Sequence, residues 1–168
     1  MAYQFHLSIK GKMQGQFKGE GVLTKRKDTW IPGLGFEYEI KSPRDAATGQ
    51  VSGKRQHSPI TIVKEWGAAT PQIFTALVTN EVLSEVVFEF IKTNSSGEEY
   101  VFHKITLHDG AVSQIKQFTG DASTEGATSA KHAGAGKMLE MEAVSFTFHK
   151  IEVENLDGKT SAMDDWGK

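Results

Sequence analysis

The stretch Glu142-Ala143-Val144-Ser145-Phe146-Thr147-Phe148-His149-Lys150-Ile151-Glu152-Val153-Glu154 changes phase part-way along. Val144, Phe146 and Phe148 share one face of an extended chain, whereas Ile151 and Val153 fall on the other parity. Side chains of a strand alternate with period two, so a slip of one residue moves an apolar set to the opposite face. The phase change near His149 and Lys150 therefore predicts a β-bulge, or a bend where one strand passes from one sheet to its partner.

The same period recurs outward from this run. Tyr3, Phe5, Leu7 and Ile9 alternate with Gln4, His6, Ser8 and Lys10, and Phe36, Tyr38 and Ile40 alternate with Glu37, Glu39 and Lys41. Further strands are predicted over residues 60–65, 85–92, 100–107 and 111–118. Asp109-Gly110 stands between two strand patterns and Asp157-Gly158 follows the last long one, and both predict hairpins, because this dipeptide accepts the positive φ of tight turns. One helix is expected, capped by Thr70, with Pro71 in its first turn and an apolar stripe of Ile73, Phe74, Leu77 and Val78 ending before Asn80. The fold expected is mainly β, a small β-barrel or two-sheet sandwich with one flanking α-helix lying over it as a lid. Two segments read as long loops, 41–59 and 121–136, of the length that is usually either functional or disordered.

The 168 residues suit one domain spanning 1–168, and a chain of that size buries roughly 70% of the surface it exposes unfolded. Zero Cys removes disulfides, thiolate nucleophiles and Cys-based zinc sites. Nineteen basic against twenty-one acidic residues leave a net charge of −2, with no field to collect nucleic acid or anionic membrane. No apolar run approaches the roughly 18 residues of a bilayer span, so no membrane insertion is expected, and Met1 to Lys10 lacks the form of a cleavable signal. The expected partner is protein.

Motifs for chemistry are weak. Gly134-Ala135-Gly136-Lys137 resembles a phosphate loop, but Lys131 stands where its first Gly is required and Met138 where a Ser or Thr should bind the metal. Gly33-Leu34-Gly35 lacks the third Gly of a dinucleotide fingerprint and reads as a turn. The His residues, His6, His57, His103, His108, His132 and His149, include no pair at i, i+4 spacing; His6, His103 and His149 could share a cavity, but structural roles are the plainer reading. No nucleophile elbow is present, so neither a catalytic residue, a metal ligand nor a cofactor site is assigned. The basic cluster Lys54, Arg55 and His57 reads as a solvated loop or a protein interface, and Trp66 and Trp166 as docked rings or grips on another subunit.

Three separated motifs carry a resemblance. They are Thr48-Gly49-Gln50-Val51-Ser52-Gly53-Lys54-Arg55-Gln56-His57-Ser58-Pro59-Ile60-Thr61-Ile62-Val63-Lys64; the Pro71 helix with Ala76-Leu77-Val78; and Glu142 to Ile151 with a closing Asp164-Asp165-Trp166. In this order they resemble the Hcp family, the haemolysin-coregulated proteins of bacterial type VI secretion. The likeness is looser before residue 48, above all over Gln16 to Gly35. The resemblance implies a tube subunit: a homo-hexameric ring, stacked rings, small effector proteins in the lumen, and a spike protein and contractile sheath as partners. It further implies residence in the cytoplasm until assembly, then secretion without a signal peptide. By the same resemblance the loop 41–59 contacts the next ring, and its basic residues Lys54 and Arg55 are expected to meet acidic residues there. Lys54, Arg55, His57, Lys64, Trp66, Asp164, Asp165 and Trp166 are the residues expected at stacking or subunit contacts. A monomeric carbohydrate-binding sandwich is the alternative, disfavoured by the scatter of the three Trp and three Tyr. A hydrolytic effector on the same scaffold, with His149 as the residue to test, is another; some family members carry a toxin domain after the barrel, for which the two residues beyond Trp166 leave no room.

Overall fold

A computed structural model describes residues 5–20, 29–120 and 139–166. Tyr3, the expected loop 121–136, His132 and the Gly134-Ala135-Gly136-Lys137 stretch lie outside them. The elements are β1 (Phe5–Gly11), β2 (Gly15–Gln16), β3 (Ile31–Gly33), β4 (Gly35–Glu37), β5 (Ile40–Lys41), β6 (Gln56–His57), β7 (Ile60–Glu65), α1 (Thr70–Val78), β8 (Leu83–Thr93), β9 (Glu99–Gly120), β10 (Leu139–Thr147), β11 (Lys150–Asn155) and β12 (Thr160–Asp165).

Two layers share the long strand β9. In one, β1, β8, the first half of β9, β11 and β12 pair in that order, all antiparallel, with β2 and β3 on the outer edge of β1. In the other, the second half of β9 pairs with β10, then β7, then β4. The layers are not closed into a barrel; the fold is a sandwich.

The phase change between Phe148 and Ile151 marks what the periodicity predicts. β10 belongs to one layer and β11 to the other, and the chain bends between them. The antiparallel neighbour β9 bends opposite the same point, where His149 N–H donates to the His108 carbonyl at 3.2 Å. This corrects the hairpin expected at Asp109-Gly110. Asp109 does adopt positive φ (50°), but the chain continues as one 22-residue strand that bends and changes layer there. A single αL residue fits a bulge as well as a turn, and the pairing of β9 with β8, β11 and β10 decides between them. Gly110 is required at the bend, because a Cβ would lie 2.7 Å from the Thr147 carbonyl oxygen. The hairpin at Asp157-Gly158 does form, between β11 and β12, with the positive φ on Lys159 (55°).

The core lies between the layers. Phe5, Leu7, Ile9, Val86, Phe88 and Leu107 face Ile60, Ile62, Val144 and Phe146. Phe36 packs edge-on to Phe5, Phe88 and Phe90 at centroid distances of 5.9, 5.4 and 5.0 Å, contacts worth roughly 0.5–1.5 kcal/mol each beyond area burial. Gly33 ends β3 and Gly35 begins β4, so this stretch carries the chain between layers instead of turning it back. A Cβ on Gly33 would sit 2.1 Å from the Phe5 ring.

Helix α1 covers the core with Ile73 and Ala76, assisted by Leu77. Phe74 and Val78, expected in the buried stripe, are 59% and 56% exposed. On a nine-residue helix the apolar residues span more than one face, and Ala76 supplies the buried surface instead. Nor does Thr70 cap the helix: Ala69 occupies that position without a side-chain bond, and the Thr70 hydroxyl donates to Glu142 Oε1 at 2.9 Å.

Candidate assembly surface

The stretch expected as a loop over 41–59 is a two-stranded arm. Ile40 pairs with His57, Lys41 with Gln56, and Arg44 bridges to Val51 further out. Backbone bonds continue the ladder, from Ser52 N–H to the Pro43 carbonyl (3.0 Å) and from Asp45 N–H to the Gln50 carbonyl (2.8 Å). At the tip Asp45 Oδ1 accepts from the Ala47 and Thr48 amides and from the Thr48 hydroxyl. The bonds from Thr48, then that from Ala47, hold the Asp45 carboxyl below the usual carboxylate range. Gly49 turns the chain at φ +72°. Ile40 and Val51 are 50% and 61% exposed, so the arm carries apolar side chains that the described residues do not cover.

At its root the arm meets the far end of the chain. Arg55 grips Asp164 with two bonds, Nε to Oδ2 at 2.5 Å and Nη2 to Oδ1 at 2.7 Å, and reaches the Asp165 carbonyl at 3.4 Å. His57 Nε2 lies 2.7 Å from Asp164 Oδ2, and His57 Nδ1 2.6 Å from the Tyr38 hydroxyl. Hydrogen bonds from Arg55 and then His57 hold the Asp164 carboxyl below its ordinary value, and the bond to Asp164 raises the Arg55 guanidinium. Burial, then the Asp164 charge, pushes the Tyr38 phenol up. Trp166 docks on its own chain, donating from Nε1 to the Phe148 carbonyl at 2.7 Å, and its ring stands 5.3 Å from the His57 ring.

The profile of the family described as "Type VI secretion system effector, Hcp" matches residues 6–154. The chain belongs to the Hcp family. The "Major exported protein" of Pseudomonas aeruginosa is 29% identical over 175 residues, covering 99% of this chain and 96% of that protein. Among solved structures, the crystal structure of an Hcp protein superposes with a TM-score of 0.80 at 24% identity, covering 96% of this chain and 98% of the other. The Hcp1 protein from the E. coli EAEC 042 pathovar gives 0.80 at 22% identity, covering 98% and 99%. At these identities the structural likeness is one of fold.

Within this Hcp-family fold the residues expected at contacts divide into separate groups. Arg55, His57, Asp164, Asp165 and Trp166 come together at the root of the arm, and Lys54 stands exposed beside them. The acidic partner of Arg55 is therefore in its own chain. Lys64 is inside the sandwich rather than on its surface: its Nζ lies 2.5 Å from Glu142 Oε1, and both side chains are 1% exposed. Trp66 is 47% exposed, with its indole N–H on the Met141 carbonyl at 2.9 Å.

The residues that sequence reasoning passed over are Tyr38, Phe148, Thr70 and Glu142. A signal existed for the last, since Lys64 is in phase with Ile60 and Ile62, and Glu142 with Val144 and Phe146. Inward parity on two strands predicts a buried pair. Nothing in the sequence joins Tyr38 to Asp164. His6 pairs with Glu89 and His103 with Phe90, adjacent residues of β8 and so opposite faces, which separates two of the three histidines considered for a common cavity. Among the described residues no three of His, Asp and Glu come together as a metal-holding group, and no helix is long and apolar enough to cross a membrane.

Proposed function

We propose that this Hcp-family chain is the tube subunit of a type VI secretion system. It closes into a homo-hexameric ring, and the rings stack into the expelled inner tube, which carries small effectors in its lumen and meets a spike protein and a contractile sheath. The observation that supports this reading best is the arm: a ribbon that projects from the sandwich, is anchored to it at its root by Arg55 and His57, and beyond the root carries Ile40 and Val51 exposed among the described residues. Strand β12 adds an edge that is paired on one side only among the described residues, with Met163 65% exposed. A protruding element and unpaired edges on one chain favour head-to-tail contacts, which close into rings or run on as stacks. The name of the Pseudomonas relative, an exported protein, is consistent with the tube leaving the cell. The role is structural, with no catalytic step assigned.

The test is the mass of the purified chain by light scattering, with negative-stain imaging of the same fraction. Hexameric rings that stack at higher concentration are expected, and a chain that stays monomeric overturns the proposal. Lys54→Glu is expected to weaken stacking and leave rings intact. Arg55→Glu is a poorer probe, because it breaks the root of the arm within the subunit.

A further inference from the structure

The arm has little to hold it in place. Two ladder pairs, one bridge and a few further backbone bonds join its legs, almost every residue from 39 to 56 is exposed, and a two-stranded ribbon without a core is marginal in water. Its direction relative to the sandwich must come from its root. There the returning leg sends Arg55 and His57 to Asp164, more than a hundred residues further along the chain, and the entering leg joins them through Tyr38, whose hydroxyl meets the other ring nitrogen of His57. The His57 side chain is 1% exposed although it sits on an exposed ribbon, because Phe148 and Trp166 enclose it at 5.4 and 5.3 Å. Each ring nitrogen has a partner, one on each side of the joint. Asp164 belongs to β12, which among the described residues pairs with β11 and no other strand.

We propose that β12 is a latch for the arm, with His57 as the positioning residue that locks both legs to the last strand through Tyr38 and Asp164. With the latch closed the arm holds one angle to the sandwich; with β12 displaced, or Asp164 unable to accept, the arm swings about residues 38–39 and 58. The arrangement makes arm presentation depend on the state of β12, so a partner strand that adds to or peels its free edge controls the arm from the opposite end of the sequence. Where the latch bears on stacking, it rests on the tube-subunit reading; the latch itself does not.

The absence of Cys from the chain allows a direct test. Spin labels at Ala47→Cys on the arm tip and Ser95→Cys on the exposed turn after β8 report the arm angle as a distance distribution, measured by pulsed electron resonance with labelled chains diluted into excess unlabelled protein. A narrow distribution is expected for the otherwise unaltered chain, and its loss for Asp164→Asn and His57→Ala. Tyr38→Phe removes one hydroxyl, leaves the rings in place, and is expected to broaden the distribution by a smaller amount. Circular dichroism shows whether each variant keeps its sandwich. An unchanged width in folded Asp164→Asn and Tyr38→Phe proteins overturns the latch. Imaging of the same samples separates the two readings: an original chain without rings refutes the tube subunit and leaves the distance result standing, whereas rings that form but fail to stack only in unlatched variants support both.

Discussion

Lys64 and Glu142 provide the sharpest test of the packing. Both side chains are 1% exposed, one from β7 and one from β10, and Glu142 also accepts the Thr70 hydroxyl. Lys64→Met keeps the length of the side chain and removes its charge, leaving a buried carboxylate whose Oε2 already has no hydrogen-bond partner among the described residues. Breaking a buried pair from one side costs about 3–5 kcal/mol, a large share of the roughly 5–15 kcal/mol that holds a typical domain. With a urea slope of about 2 kcal/mol per molar, the unfolding midpoint should fall by about 1.5–2.5 M. The double substitution Lys64→Met with Glu142→Leu removes both charges, and is expected to recover to within about 1 kcal/mol of the original or to exceed it. What it still loses is the acceptor for Thr70, worth roughly 1 kcal/mol. Tryptophan fluorescence and far-UV circular dichroism follow the unfolding, repeated at two protein concentrations so that association is separated from folding. A single-substitution cost under about 1 kcal/mol, or a double variant no better than Lys64→Met, would refute the reasoning, because it would mean that water reaches the carboxylate.

Three further outcomes follow from the geometry. Gly110→Ala should destabilise by about 1–3 kcal/mol in the same urea assay, as the new methyl meets the Thr147 carbonyl at the bend shared by the layers. Ile73→Ala should cost about 2–5 kcal/mol and Phe74→Ser within about 0.5 kcal/mol, which chemical denaturation of the two variants checks directly. The third concerns pH. Asp164 is held below its ordinary value of 3.8 by Arg55 and His57, so its contribution is full above that value and lost as pH falls through the lowered one. Hydrogen exchange of the arm amides should therefore accelerate as pH falls below 3.8, after correction for intrinsic rates, with Asp45, which accepts at the arm tip and is likewise held low, contributing over the same range.

Much of the fold was legible because the period of a strand is local. The bounds of β7 coincide with the predicted 60–65, and the change of parity after Phe148 announced the passage between layers before any pairing was known. Lys64 and Glu142 lay in phase with apolar neighbours, so even the buried pair was written in the alternation. Length, charge and the absence of Cys likewise set the class of molecule without reference to its shape.

Other features depended on partners distant in the chain. Asp109-Gly110 has the same local preference in a hairpin and in a bulge, and only the simultaneous claims of β8, β11 and β10 on β9 make it a bend. Helix α1 is apolar on several sides, and the sandwich selects Ile73 and Ala76 over Phe74 and Val78. The arm read as a loop because its ladder is short and its residues polar, and its anchor at Asp164 comes from the other end of the chain. Alternation, propensity and composition are properties of neighbours along the backbone and are determined by sequence alone. Which unpaired edge, carboxylate or aromatic ring meets which is decided when distant segments compete for the same space, and that competition is resolved only in the tertiary structure.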